Sequence, residues 1–160
     1  MKNHAPGADG RLQDDLLTLD NQVCFALYAL NRAVTGRYRP LLAELDLTYP
    51  QYLVMLVMWE ADGRGETPRV SEIGERLRLD SGTLTPLLRR LEQRGLITRR
   101  RSPEDERVVT VALAEAGAEL HDRARKVPER LLCELGMDAA EAGQLRDDLR
   151  ALLNRLEEST

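Results

Sequence analysis

The chain has 160 residues, is 42% apolar and carries a formal net charge of −4. That length fits one domain, and that apolar fraction fits a packed core and excludes a disordered segment. The acidic balance argues against bulk coating of nucleic acid but leaves room for a focused basic footprint. No apolar run reaches the length of a membrane span. Residues 1–15, MKNHAPGADGRLQDD, are polar and lack an apolar signal core, so the reading is a flexible arm over 1–12 on a cytoplasmic protein. Two cysteines without a secretion signal argue against a permanent structural disulfide. There is no Cys-x-x-Cys, His4 lies in the arm and His121 is isolated, so neither a metal nor another cofactor is expected.

From Gln13 to Val34, the residues Leu16, Val23, Leu27, Leu30 and Val34 recur at helical spacing, and Gly36 follows as a stop. Pro40 to Leu45 reads as a short helix. Pro50 to Glu60 reads as another, with Tyr52, Leu53, Leu56, Val57 and Trp59 largely apolar. Ala61 to Pro68 is a loop. Ser71 is expected to cap a helix carrying Ile73 and Leu77 and ending near Arg78. Ser81 is expected to cap the next, with Leu84, Leu87, Leu88 and Leu91 on one face and Gly95 as its stop. The other face carries Thr83, Thr85, Arg89, Arg90 and Gln93. Pro86 is predicted to stiffen or bend the start of that helix. Ile97 to Arg101 and Arg107 to Leu113 read as strands around a tip at Ser102–Glu106. Ala114 to Leu135 is helical, with Pro128 kinking or splitting it. Asp138 and Glu141 form a capping-box start for a last helix carrying Leu145, Leu149, Leu152 and Leu156.

The fold class is therefore mainly α with a small β-wing. A winged helix-turn-helix over 69–113 sits between N-terminal helices over 13–61 and C-terminal helices over 114–160 of a single domain 1–160. Between Ser81 and Arg101 there are six arginines and one acid, Glu92. The planar guanidinium fork suits phosphate, and this order of cap, turn, leucine stripe and basic hairpin predicts DNA binding. The plain alternative is a solvated helix with incidental charge. The apolar stripes of the terminal helices predict a two-fold homodimer, which would present two recognition helices to a palindromic operator.

Cys24 and Tyr28 fall on one helical face, and all four tyrosines lie in the first third of the chain. A phenol that donates to a thiolate lowers the thiol pKa. A thiolate in an apolar pocket is the species an organic peroxide oxidises. From composition alone the passive reading, a small core cysteine, is preferred.

The segment SEIGERLRLDSGTLTPLLRRLEQRGLITRRRSPEDERVVTVALAEAG resembles the MarR family of bacterial transcription regulators, with Asp105-x-Arg107 matching the family's wing signature. The resemblance implies that Thr83, Thr85 and Arg89 or Arg90 approach base edges and phosphates. It also implies that Arg107 reaches the adjacent minor groove and that Asp105 orients it. Ser81 at the helix start and Arg100 in the basic hairpin complete the expected DNA-contacting set. Cys24, Phe25, Tyr28, Tyr38 and the run LTYPQYLVMLVMWE are similar to the OhrR subgroup of organic-hydroperoxide sensors, and this similarity covers nearly the whole chain from Leu16. It implies Cys24 as the peroxide-sensing cysteine, with Tyr38 and Tyr49 as hydrogen-bond partners of its sulfur. Tyr28 lies near, Trp59 lines the pocket, and Cys133 is the resolving cysteine of a two-cysteine branch.

The expected function is a redox-switched repressor, not an enzyme. Organic hydroperoxide oxidises Cys24, a Cys24–Cys133 disulfide forms between subunits, and operator DNA is released. Two alternatives stay open. A repressor gated by a small aromatic ligand would respond under reducing conditions and ignore peroxide. A thiol peroxidase would consume peroxide continuously with a thiol reductant.

Overall fold

The computed structural model describes residues 15–159. The arm over 1–12 and the helix start at Gln13 lie outside them. The chain divides into two compact units, residues 1–37 and 38–160.

In the first unit the expected helix is interrupted. Residues 15–16 are helical, a 3-10 turn occupies Leu19–Asn21, and helix α1 starts at Val23 and runs to Ala43. Side chains explain the break. The Thr18 hydroxyl and the Asn21 amide each donate to the Asp15 carbonyl at 2.7 Å, offering the backbone an alternative to helix. Gly36 does not stop α1, and Pro40 lies inside it instead of opening a separate helix. The donor that Pro40 lacks would have served the carbonyl four residues back, which belongs to Gly36. Two apparent stop signals thus fall on one turn and remove a single hydrogen bond.

In the second unit, α2 spans Tyr49–Gly63, three residues past the expected end. Thr48 and Gln51 form a reciprocal capping box at its start. Its Tyr52, Val54, Met55, Val57, Met58 and Ala61 are buried and form the middle of the core. Leu41, Leu42, Ile73, Leu84, Leu88, Leu91, Ile97 and Val111 close around it. Each such side chain contributes roughly 1.5–3 kcal/mol on burial.

Helix α3 spans Val70–Leu77 and α4 spans Ser81–Gln93. Both caps differ from expectation. The Glu72 carboxylate accepts from the Arg69 backbone N–H at 2.7 Å, which starts α3 at Val70 and leaves Ser71 in the first turn. Asp80, not Ser81, caps α4, its carboxylate accepting from the Thr83 backbone N–H at 2.8 Å. Pro86 lies within α4 without interrupting it. Gly95 takes φ +69°, the left-handed conformation expected of its stop.

Strand β1, Ile97–Arg101, pairs antiparallel with β2, Val109–Leu113, in the register Ile97 to Leu113 and Arg101 to Val109. The second strand starts two residues later than expected, because Val108 donates to the Asp105 carbonyl (2.9 Å) and closes the tip. Pro68 and Arg69 join the sheet edge: Val111 donates to the Pro68 carbonyl at 2.8 Å, and Arg69 bridges Thr110.

Pro128 splits the long C-terminal helix into α5, Glu115–Ala124, and α6, Lys126–Leu135. The break at Arg125 follows Ala124, whose carbonyl is the one Pro128 leaves without a donor. Helix α7, Ala139–Glu158, starts on the expected Asp138–Glu141 capping box. Gly117 lets α5 sit against the base of the wing. A Cβ there would stand 2.1 Å from the Leu96 carbonyl oxygen. The Gly117 carbonyl accepts from the Trp59 indole N–H at 2.8 Å. Among the described residues no helix is long and apolar enough to cross a membrane.

Candidate nucleic-acid interface and cysteine sites

The leucine stripe of α4 turns Leu84, Leu88 and Leu91 into the core and leaves Ser81, Thr83, Arg89 and Arg90 exposed. Thr85 is half-buried. A groove of about 810 Å³ runs between α3, α4 and the wing, and Ser81, Thr85 and Arg107 line it together. Arg90 lies on a different groove, with Asp46, Thr48 and Gln93. Thr83, Arg89 and Arg100 line neither.

The six arginines are not equivalent. Arg99 is held by Glu92, with guanidinium contacts of 3.0 and 2.7 Å, and the Arg99 backbone N–H adds a third at 3.1 Å. These bonds, chiefly the guanidinium hydrogen bond, hold the Glu92 carboxyl below the usual glutamate range. They tie the end of α4 to β1. Arg94 turns the other way, donating to the carbonyls of Asp46 and Leu45 and pairing with the Asp46 carboxylate. Arg101 reaches the Glu106 carbonyl at 3.3 Å. Among the described residues the guanidinia of Arg89, Arg90, Arg100 and Arg107 have no ion-pair partner, nor has that of Arg69, which lines the groove with Arg107.

Asp105 accepts from the Arg107 backbone N–H at 3.0 Å. It shapes the turn that carries Arg107 and does not grip the guanidinium. Asp80, absent from the expected set, also accepts from the Thr83 hydroxyl at 3.2 Å. The Thr83 backbone N–H, then its hydroxyl, hold the Asp80 carboxyl below the ordinary aspartate range. The spacing Asp80-x-x-Thr83 was the available signal, masked by a serine that caps equally well on propensity.

In the first unit, Cys24 is an exposed free cysteine one turn before Tyr28 on α1. The Tyr28 hydroxyl accepts from Arg32 at 2.9 Å, and the Arg32 guanidinium lies 5.6 Å from the ring centroid. In the second unit, Cys133 is an exposed free cysteine on α6. Tyr38 and Tyr49 are brought together, ring centroids 4.7 Å apart. Tyr52, outside the expected set of sensor-pocket residues, stands 5.7 Å from Tyr38 and 6.4 Å from Trp59. His121 ends this row of rings, 5.5 Å from Trp59. Burial, and then the neighbouring phenols Tyr49 and Tyr52, push the Tyr38 phenol up to about 12. Burial also raises Tyr49 and Tyr52. All three are neutral hydrogen-bond donors at physiological pH. Among the described residues no group of three His, Cys, Asp or Glu side chains forms a metal site.

A helix-turn-helix with a basic reading helix and an arginine-rich wing defines a winged-helix regulator. The model of the transcriptional regulator SarA/Rot family matches residues 37–124. The organic hydroperoxide resistance transcriptional regulator of Bacillus subtilis is 49% identical over 89% of this chain and 94% of that protein. Among solved structures, reduced AbfR bound to DNA, from a regulator of Staphylococcus epidermidis, superposes with a TM-score of 0.72 at 30% identity, covering 90% of this chain and 98% of that one. The disulfide-formed AbfR gives 0.63 at 30% identity, covering 93% and 99%. The chain belongs to the MarR family of winged-helix transcription regulators, in the group of the organic hydroperoxide resistance regulators. These relatives are transcription regulators, not enzymes, and the thiol-peroxidase alternative is set aside on that ground.

Proposed function

We propose that the chain is a cytoplasmic, redox-switched repressor that binds a palindromic operator as a reduced homodimer and releases it when an organic hydroperoxide oxidises Cys24. The carrying observation is the near-full-length similarity to the Bacillus subtilis organic hydroperoxide regulator in a chain that places a cysteine at position 24. AbfR, similar in fold and sequence, has been captured reduced on DNA and in a disulfide form, which supports the same cycle here.

In the proposed cycle the Cys24 thiolate attacks the distal peroxide oxygen. An S–O bond forms as the O–O bond breaks, and the alkoxide leaves as alcohol after taking a proton, so sulfur is oxidised and peroxide reduced. The Cys133 thiolate then attacks the Cys24 sulfur and expels hydroxide, which leaves as water, giving a disulfide between subunits. Tyr38 and Tyr49 would donate to the Cys24 thiolate, a role for which their protonated phenols are suited. Tyr28 and Trp59 complete the pocket in this reading. Disulfide formation requires Cα atoms about 4.4–6.8 Å apart, so a wider reduced pair forces helices to move.

Residues 13–61 would thus sense, 69–113 read DNA, and 114–160 pair the subunits. Ser81, Thr83, Thr85, Arg89, Arg90 and Arg100 would meet bases and phosphates, and Arg107, on the turn shaped by Asp105, the minor groove. The pairing is supported by the leucines that α7 leaves exposed, Leu145, Leu149 and Leu153.

The test is an operator shift beside a non-reducing gel. One equivalent of organic hydroperoxide should release DNA and produce a covalent dimer, both reversed by dithiol. Cys24→Ser should bind DNA and ignore peroxide. Cys133→Ser should oxidise and stop at a sulfenate or mixed disulfide. Unchanged operator binding after peroxide overturns the proposal. One observation favours the ligand-gated reading: a groove of about 600 Å³ lined by Tyr52, Trp59, His121 and Arg125 offers aromatic walls and a cation to an aromatic acid, while its Arg76 is paired with Glu60. Release by such an acid under reducing conditions, with no peroxide response, would select it.

A further inference from the structure

We infer that Asp80 is a specificity-determining positioning residue: by holding the hydrogen of the Thr83 hydroxyl it presents that hydroxyl to the major groove as an acceptor, selecting a base with an exocyclic amino group. The inference rests on the reading of α4 as the DNA-reading helix and deepens it.

The geometry fixes the direction of the bond. One carboxylate oxygen of Asp80 accepts from the Thr83 backbone N–H at 2.8 Å, and the other lies 3.2 Å from the Thr83 hydroxyl oxygen. An ionised carboxylate only accepts, so the shared hydrogen comes from the threonine. A hydroxyl has one hydrogen and two lone pairs. With the hydrogen turned back to Asp80, only lone pairs face outward. Thr83 is exposed, on the first turn of α4, so those lone pairs face solvent. The neighbouring residue fits the arrangement. A Cβ on Gly82 would stand 3.1 Å from the Asp80 oxygen that accepts the backbone bond, so a larger residue would press on the carboxylate.

In the major groove, cytosine N4 and adenine N6 donate, whereas guanine O6 and N7 and thymine O4 accept. A hydroxyl showing lone pairs, with a carboxylate behind it, is complementary to the first two and repelled by the others. Arginine on the same helix has the opposite preference, because it donates to guanine. The helix therefore carries both polarities, and Asp80 sets one of them without touching a base.

Asp80→Asn inverts the device at nearly constant shape. The Thr83 backbone N–H still demands an oxygen, so the amide oxygen must face it and the amide NH2 must face the Thr83 hydroxyl. That NH2 donates, the hydroxyl hydrogen is released, and Thr83 becomes a donor toward the groove. Asparagine caps helices as well as aspartate does, so α4 keeps its start.

The experiment selects binding sites from a randomised duplex DNA library with reduced wild type, Asp80→Asn, Thr83→Ser and Thr83→Val. Wild type should show one position per half-site where adenine or cytosine is favoured about tenfold over guanine or thymine. Thr83→Ser should keep that preference and Thr83→Val should flatten it. Asp80→Asn should move it to guanine or thymine, with the rest of the motif unchanged. An identical motif from wild type, Asp80→Asn and Thr83→Val overturns the inference and leaves DNA reading by α4 intact. If Asp80→Asn does not fold, Asp80→Ser decides, because serine caps the helix with its one oxygen and leaves the Thr83 hydroxyl unheld: an unchanged preference overturns the inference, and its loss upholds it. No enriched motif from wild type overturns the DNA-reading proposal together with the inference.

Discussion

Gly117→Ala should destabilise the second unit by about 2 kcal/mol, although it replaces a helical glycine with the best helix former. Propensity alone predicts a gain of about 1 kcal/mol. The new Cβ, however, would stand 2.1 Å from the Leu96 carbonyl oxygen and 2.8 Å from Leu113 Cδ1. Carbon and oxygen in contact stay about 3.3–3.6 Å apart, so α5 must withdraw by more than about 1 Å. The carbonyl cannot yield easily, because it accepts from Ala114 at 3.0 Å. Overpacking of this kind costs about 1–3 kcal/mol, here about 2 kcal/mol because the obstacle is backbone. Withdrawal also breaks the Trp59–Gly117 bond, worth about 1 kcal/mol. The melting temperature should fall by about 4–8 °C. Urea unfolding followed by the fluorescence of Trp59, the single tryptophan, reads the effect directly. A midpoint equal to or above wild type would refute the argument.

Three further outcomes follow from the same contacts. Glu92 is held below its ordinary value, so its clamp on Arg99 is fully present above that value and is lost as pH falls through the lowered one. Glu92→Ala should lower stability near neutrality and flatten the acid limb of a urea-midpoint profile, and an unchanged limb would count against the clamp. Tyr38 is raised to about 12, so the stability it confers is complete below its ordinary value of 10.0 and is lost as pH rises through about 12. In Tyr38→Phe, alkaline unfolding should lose that component when followed by circular dichroism. Under the proposed DNA reading, Arg89→Ala should reduce the salt dependence of operator affinity by about one phosphate contact per copy. Arg94→Ala should lower the urea midpoint and leave that salt slope alone, because Arg94 is engaged with Leu45 and Asp46.

Much of this architecture is legible in the sequence wherever a side chain reports its own burial. Leu84, Leu88 and Leu91 mark the buried face of α4, Gly95 marks its end, and Val111 marks the inner face of the wing. What is not legible depends on which of several available partners each group takes. Gly36 and Pro40 look like two stops because each is judged alone, whereas in the helix they share one hydrogen bond. Ser71 and Ser81 are sound caps by propensity, but Glu72 and Asp80 supply the bonds that fix the starts. Arg94 and Arg99 carry the same charge as Arg89 and Arg90, and only the positions of Asp46 and Glu92 reveal that two of these four are engaged within the protein. Tyr52 belongs to the ring row because α2 turns it toward Tyr38 and Trp59, an adjacency that spacing alone does not give.

The bond from Glu92 to Arg99 has a consequence for how such a protein can be switched. It fastens the last turn of α4 to the first strand of the wing, so helix and hairpin have no hinge between them. A reading head built this way resists being blunted by small distortions within itself. In the proposed two-copy assembly, control then reduces to two variables, the separation and the tilt between two stiff heads. The inducer changes a gauge, not a blade.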